Sequence, residues 1–137
     1  MNWTLEVVVV PVSDVDRSKD FYADQLGFNV DHDTHISEEL RVVPLTPPGS
    51  GCSIVIGKGI GEMEPGSLKG VQLVVPDIRA AHAQLVERGV EASEVQVMGP
   101  EGQRPAAEGD ALDNSGFVFF SDPDGNGWAV QQISARG

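Results

Sequence analysis

The sequence predicts one α+β domain built from two similar β-α-β-β-β halves. Two segments, beginning near residues 5 and 71, show the same pattern. Each has a stretch rich in β-branched residues, then an aspartate that can cap the start of a helix, and then a glycine that can end the helix. Two turns rich in proline and glycine, at 46–51 and 122–127, each precede an apolar strand. The chain has 137 residues, enough for one core, whereas a half of about 60 residues would bury too little surface alone.

The first half begins with a predicted strand, Leu5–Val12, which is β-branched apart from Leu5, Glu6 and Pro11. Ser13-Asp14 then provides oxygens that cap a helix start, with Asp16 in the first turn. Gly27 supplies the left-handed helix stop, and the apolar residue that often follows such a stop is present next to it. The apolar stripe of this predicted helix is Val15, Phe21, Tyr22 and Leu26.

The second half repeats this order. Val71–Val75 is a predicted strand, Pro76-Asp77 opens a helix, and Gly89 ends it. The stripe of this helix is Ile78, Ala81 and Leu85. The remaining predicted strands are Phe28–Asp33, Leu40–Leu45 and Cys52–Ile56 in the first half, and Val95–Met98, Phe117–Phe120 and Trp128–Ile133 in the second.

Two segments fall outside this repeat. The glycine-rich stretch 57–69 is predicted to link module 1 (1–56) to module 2 (70–137) within a single domain. The polar stretch 99–116 lies between two predicted strands, and loops of that length are usually lids, binding loops or disordered segments.

Composition limits the partners. The chain is 40% hydrophobic and 22% charged, as in globular proteins. Its formal charge of −12 argues against nucleic acid or an anionic membrane as a partner and favours a cationic ligand, although acidity can serve solubility alone. Cys52 has no second cysteine to pair with, which predicts a reducing compartment. Without a signal-peptide pattern or a long apolar run, the predicted location is the cytoplasm.

Three motifs carry a family resemblance. The run from Pro11 to Tyr22, the Leu26-Gly27-Phe28 stop and the run from Phe120 to Asn126 resemble the vicinal oxygen chelate superfamily. This group includes glyoxalase I, extradiol dioxygenases and the bleomycin- and fosfomycin-resistance proteins. The resemblance implies that each module curls into a half-barrel facing a shared cavity. It also implies a homodimer with ligand crevices between chains.

The resemblance also implies positions for metal ligands. Counting from the helix caps and turns, these positions hold Val7, Ser53, Gly70 and Ala129. None of the four side chains offers the carboxylate or imidazole that divalent metals need. We therefore predict no metal and no other cofactor.

The three histidines do not suggest another metal site. His32 and His35 stand three apart among acidic residues, so in a strand their rings point to opposite faces. A surface loop is the leading interpretation there, with a ligand-contact loop or a metal site as alternatives. His82 is predicted as a surface or partly packed helix residue.

Strand alternation predicts which side chains line the cavity. Most are apolar, and two are amides, which suits an organic ligand held by shape and a few hydrogen bonds. The alternative is that the same residues simply pack as core. Trp128 has the opposite parity and is predicted beneath a helix, whereas the parity of Phe119 against Phe120 stays open. The predicted lining is Leu5, Val7, Val9, Ser53, Val55, Gln72, Val74, Ala129 and Gln131, with Trp3, Phe117 and Phe119 as aromatic contacts at the rim.

This lining contains no residue suited to proton abstraction and no serine beside a base. The leading hypothesis is therefore a non-enzymatic protein that binds a small organic molecule, such as an antibiotic or metabolite, in the manner of bleomycin-resistance proteins. An alternative is a lyase or isomerase of glyoxalase or dioxygenase type, with absent or non-standard metal ligands. A third is an interaction module whose cavity is closed.

Overall fold

The computed structural model describes residues 1–135, which form two mixed five-stranded sheets and two helices. The predicted α+β fold class is confirmed. The first half contains β1 (Val7–Val9), α1 (Val15–Asp20), β2 (Asn29–Val30), β3 (Thr34–His35), β4 (Arg41–Thr46) and β5 (Ser53–Lys58). The second contains β6 (Val71–Val75), α2 (Ile78–Glu87), β7 (Gln96–Gly99), β8 (Gly102–Pro105), β9 (Gly116–Ser121) and β10 (Gly127–Gln132).

Four strands of each sheet share one order, which confirms the internal repeat, whereas the fifth strand is added at a different place in each sheet. The first has the order β1-β5-β4-β2, with β3 also paired to β4, and the second has the order β6-β10-β9-β7-β8. In each sheet the first strand runs parallel to the last, and all other pairs are antiparallel. The chain divides into two compact units. One comprises residues 1–68 with 122–126, and the other comprises 69–121 with the residues from Gly127 onward.

Three predicted boundaries were wrong. The first strand ends at Val9, because the Pro11 carbonyl accepts hydrogen bonds from Gly66 and Asn126 rather than from a neighbouring strand. The predicted strand at 28–33 is reduced to β2. The predicted loop at 99–116 contains β8, which forms a hairpin with β7.

Both helices begin at the predicted aspartates. The Asp14 carboxylate accepts from the Arg17 amide at 3.1 Å, and Asp77 accepts from the Ala80 amide at 3.1 Å. α1 continues as a π-helical turn, 21–25, and Gly27 then adopts a φ of 77°. No helix within residues 1–135 has the length and apolar character to cross a bilayer.

Replacing Asp77 by alanine is expected to lower the free energy of unfolding by about 1 kcal/mol, because the Ala80 amide loses its acceptor. Asp77→Asn keeps a side-chain oxygen at the cap and should retain most of the stability. Urea denaturation of both variants measures the difference. Equal losses in the two variants would contradict a capping role.

Each sheet has one face covered by its helix. In the first sheet these covered residues are Val10, Val43, Leu45, Ile54 and Ile56, and in the second they are Val118, Phe120, Trp128 and Val130. Trp128 is therefore buried on the helix side, as expected from parity, and it stacks on Phe120 at a centroid distance of 5.9 Å. We call the opposite face of each sheet its open face.

The turn at 122–126 belongs to the first unit through a buried carboxylate. Asp122, which is 5% exposed, accepts from the Tyr22 hydroxyl at 2.7 Å and from Asn126 Nδ2 at 2.7 Å. It also accepts from the backbone amides of Asp124 and Asn126 at 3.0 and 2.9 Å. Asn126 Nδ2 further donates to the Pro11 carbonyl at 2.8 Å. Four donors therefore satisfy one buried carboxylate and attach the turn to α1.

Candidate functional site

The open face of the first sheet contains four of the predicted lining residues. Val7 pairs with Ser53 across the parallel β1–β5 ladder, and Val9 pairs with Val55. Side chains of paired residues point to the same face, so these four form one patch. Val55 is buried and the other three are partly or largely exposed.

A short polar chain extends from this patch across the first sheet. Ser53 Oγ lies 2.6 Å from Thr46 Oγ1, and Thr46 Oγ1 lies 2.5 Å from the Asp31 carboxylate. Asn29 Nδ2 donates to the same carboxylate at 3.1 Å. The sequence did not predict that Asn29 and Asp31 contribute to the site, because their spacing does not show which side chains they contact in the folded protein.

Trp3 and Leu5 lie before β1 rather than within a strand. Their side chains are 87% and 70% exposed, respectively. Their part in ligand binding stays a prediction, since no other contact defines their orientation.

The open face of the second sheet holds the other six predicted residues in two rows. Ala129 pairs with Gln72 on one side and with Phe119 on the other. Gln131 pairs with Val74 and with Phe117. The small Ala129 side chain thus lies between a glutamine and a phenylalanine. The open face is thus apolar with two central amides.

The register of β9 against β10 also determines on which face of the sheet each aromatic residue lies. Phe117 and Phe119 both lie on the open face and stack nearly parallel, with centroids 6.0 Å apart and an interplanar angle of 4°. Phe120 belongs to the covered face. Two phenylalanines in this arrangement present a continuous aromatic surface against which a planar molecule can pack.

The two glutamines belong to one hydrogen-bonded network. Gln72 Nε2 donates to Gln131 Oε1, and Gln131 Nε2 donates to the Asn114 carbonyl at 2.8 Å. Asn114 has a left-handed φ of 66°, and its own amide donates to the Gln132 carbonyl at 2.8 Å. Asn114 therefore supports the site from the loop before β9, a role that sequence reasoning missed.

The predicted metal-ligand positions need one correction. Val7 pairs with Ser53 in the first sheet, but the residue paired with Ala129 in the second is Gln72, not Gly70. Counting from the helix cap gave Gly70 because the connection from strand to helix is two residues shorter in the second half. The corrected set is two apolar side chains, a hydroxyl and an amide, which does not fit a divalent metal.

Among residues 1–135, no group of three or more histidine, cysteine, aspartate or glutamate side chains is placed to hold a metal ion. His32 and His35 are both exposed; His32 Nδ1 lies 2.8 Å from Thr34 Oγ1, and His35 Nε2 lies 3.7 Å from Asp33. His82 is half-buried on α2. The structure thus places both residues on an exposed segment, with His35 in β3 and His32 just before it.

A groove of about 630 Å³ in the first unit was not predicted. Its apolar wall comes from the β1–α1 connection and from the segment after β5, including Val12, Ile60 and Met63. Its polar wall includes Arg41 and Lys58. Sequence reasoning missed it because much of its wall comes from connections and from strand ends rather than from one strand face. Val9, a predicted lining residue, also borders this groove.

The Arg41 side chain in this groove is already paired with carboxylates. Arg41 donates to Asp33 at 2.9 and 2.7 Å and to Asp16 at 2.9 Å, and Lys19 also donates to Asp33 at 2.9 Å. The Arg41 guanidinium, followed by the Lys19 ammonium, holds the pKa of the Asp33 carboxyl far below its usual value. Arg41 thus serves an ion-pair network and is a poor anchor for an anionic ligand.

This network predicts a pH dependence of stability. Because the pKa of Asp33 is lower in the folded state, its stabilisation is complete above the unfolded pKa of about 3.9 and is lost as the pH falls below it. The slope from one such group is at most about 1.4 kcal/mol per pH unit. Urea unfolding between pH 5 and pH 2 should show a shallower decline for Asp33→Asn than for wild type. Parallel declines would contradict this assignment.

Residues 4–130 match the profile described as Glyoxalase/Bleomycin resistance protein/Dioxygenase superfamily. TnmS3, an antibiotic binding protein from Streptomyces sp. CB03234, is 32% identical with a TM-score of 0.75, and the match covers 97% of this chain and 98% of that one. A comparison with curated proteins gives no significant match.

Two further solved structures are similar over almost their whole length. A glyoxalase/bleomycin resistance protein from the same Streptomyces strain is 32% identical, with a TM-score of 0.72 and coverage of 94% of this chain and 100% of that one. A member of the superfamily from Sphaerobacter thermophilus DSM 20745 is 30% identical, with a TM-score of 0.74 and coverage of 96% and 98%.

Proposed function

The chain belongs to the glyoxalase/bleomycin resistance protein/dioxygenase superfamily, and we propose that it binds a small organic molecule, an antibiotic or a metabolite, without a metal. The observation that carries this proposal is the content of the metal-ligand positions: Val7, Ser53, Gln72 and Ala129. The similarity to an antibiotic binding protein at 32% identity supports the same conclusion.

The open faces offer the interactions that such binding needs. The Phe117–Phe119 pair provides aromatic area, and Ala129 leaves room beside it. Gln72 provides a hydrogen-bonding group on the second open face, and Ser53 provides one on the first, each among apolar neighbours. Ligand sites of this kind are mostly apolar, with a few polar groups that fix orientation. The acidic chain, with a net charge of −12, would draw cationic ligands toward it.

Isothermal titration calorimetry tests the proposal. The panel comprises bleomycin A2 as a cationic glycopeptide, doxorubicin as a cationic polycycle and 2-aminoanthraquinone as a neutral planar aromatic, each titrated with and without EDTA. We expect at least one to bind with equal affinity in both buffers. Absence of binding across the panel, or binding abolished by EDTA, would count against the proposal.

The proposal includes a cytoplasmic homodimer. Trp3 and Leu5, which lie before β1, are 87% and 70% exposed in the isolated chain, and a second copy that packs against them would remove this apolar surface from water. Sedimentation velocity at micromolar concentration should give a dimer. A purely monomeric species would contradict it.

A further inference from the structure

Resting on the proposed function, we infer that the β7–β8 hairpin extends the ligand surface of the second sheet. Its residues Gln96, Met98 and Gln103 select planar aromatic molecules that carry a hydroxyl-rich side group, such as a sugar. The aromatic part of the ligand lies on Phe117 and Phe119, and the side group lies on the hairpin. The register of the sheet and the contacts that hold the hairpin support this inference.

The register continues the open face from β9 onto both strands of the hairpin. Gln96 pairs with Phe117 on one side and with Pro105 on the other. Met98 pairs with Gln103, and it follows Gln96 by two residues, which places it on the same face. Since paired residues point to one face, all these side chains lie on the face of Phe117. The hairpin thus adds two strands, or about 10 Å, to the surface beside the aromatic pair.

The other face of the hairpin is linked to α2. Arg104 donates to both carboxylate oxygens of Asp110, at 2.9 and 3.0 Å. Asp110 also accepts from the Ala107 amide at 2.6 Å, and the Ala107 carbonyl accepts from Arg79 of α2 at 3.1 Å. These contacts place Arg104 on the helix side of the sheet. Because neighbours in a strand alternate, Gln103 points to the open face, in agreement with the register.

The two amides of the hairpin make only long hydrogen bonds. Gln103 Nε2 lies 3.5 Å from Gln96 Oε1, and Gln96 Nε2 lies 3.3 Å from the Glu94 carbonyl. Ordinary hydrogen bonds of this type measure about 2.9 Å, so both amides can exchange these contacts for closer ones. Each amide offers donors and an acceptor, which matches ligand hydroxyls. Met98, which is 41% exposed, adds an adaptable apolar contact beside them.

The opposite side of the aromatic pair offers a different surface. Gln131 donates to the Asn114 carbonyl at 2.8 Å and accepts from Gln72, so its amide is engaged at both ends. Gln72 keeps part of its amide for a ligand, but its neighbours on that side, Ala129 and Val74, are apolar. A hydroxyl-rich group therefore finds more hydrogen-bonding capacity on the hairpin than on β6 and β10.

The test compares doxorubicin, whose planar ring system carries an amino sugar, with its aglycone doxorubicinone. Titration calorimetry of the full chain should show doxorubicin binding at least about tenfold more tightly in wild type. Gln96→Met and Gln103→Met should each reduce this ratio about threefold, with little change in the affinity for doxorubicinone. Neither substitution alters a charge, so the attraction of the acidic chain for the amino sugar is unchanged. Gln84→Met, an exposed position on α2, is the matched control and should keep the wild-type ratio.

Methyl NMR locates the side group independently of affinity. Protein labelled with ¹³C at methionine methyl groups reports on Met98 of the hairpin and on Met63, which borders the groove of the first unit. Saturating doxorubicin should shift the Met98 signal further than saturating doxorubicinone does. The Met63 signal should stay in place with both compounds.

Equal affinities of the two compounds for wild type would overturn this inference while leaving the proposed small-molecule binding intact. A preference for doxorubicin that both glutamine variants retain, or a Met98 signal that doxorubicin does not move, would place the sugar away from the hairpin. If neither compound binds, the inference is overturned, and bleomycin A2 and 2-aminoanthraquinone then decide the proposed function. Thermal denaturation of each variant confirms that the affinities are measured on folded protein.

Discussion

Replacing Asp122 with alanine is expected to destabilise the protein by about 3 kcal/mol, the largest single effect on stability that the structure predicts. The carboxylate is 5% exposed and accepts four hydrogen bonds. Its removal leaves the Tyr22 hydroxyl, a side chain with no exposed surface, without this acceptor. It also removes one of the hydrogen bonds that attach the 122–126 turn to its unit.

Urea denaturation followed by circular dichroism measures this loss. Tyr22→Phe removes one of the four donors and should cost about 1 kcal/mol. Asp24→Ala, an exposed aspartate in the turn after α1, is the matched control and should change the free energy of unfolding by less than about 0.5 kcal/mol. A loss below about 1 kcal/mol for Asp122→Ala would show that the carboxylate does not stabilise the turn.

Replacing Ala129 with tryptophan is expected to weaken ligand binding by about 100-fold or more, the largest effect expected on function. Ala129 lies between Gln72 and Phe119 on the open face, so an indole there would cover the surface on which we propose that a planar ligand binds. Because the face is turned away from α2, the added ring should not disturb the core. The expected change is therefore in affinity and not in stability.

Titration calorimetry with 2-aminoanthraquinone, together with a thermal melt, separates the two effects. Ala83→Trp, on the exposed side of α2, is the control and should bind as wild type does. Unchanged affinity in Ala129→Trp would place the ligand away from the second open face.

The faces of the strands could be predicted from the sequence because alternation in a strand is strict. Once Val7 is placed on the open face, its parallel pairing partner Ser53 must lie on the same face. In β10, alternation places Ala129 and Gln131 on one face and Trp128 on the other. The helix caps at Asp14 and Asp77 could also be predicted, since both depend on residues within one turn.

Features that depend on connection length could not be predicted in the same way. The metal-ligand position was assigned to Gly70 instead of Gln72 because the connection between strand and helix is shorter in the second half. Counting back from the helix cap by the distance used in the first half therefore gave the wrong residue. β8 was missed because its four residues, Gly102–Pro105, are all exposed and show no apolar alternation. A strand without a buried face leaves no hydrophobic signal.

The polar chains were missed for a further reason. Asn114 and Asp31 act through one carbonyl and one carboxylate that meet Gln131 and Thr46 only after folding. Their residue types are common in loops, and neither spacing nor composition distinguishes them. Which groups these side chains contact is a property of tertiary structure.

Methyl NMR of protein labelled with ¹³C at alanine, valine and methionine methyl groups tests the central claim most directly. 2-Aminoanthraquinone is added in the presence of EDTA. The proposed function predicts shifts at the open-face methyls of Val74 and Ala129 on the second sheet, with Met63 of the groove unchanged. Shifts confined to Met63 and Val12, or shifts that require an added divalent metal, would contradict metal-free binding on the open faces.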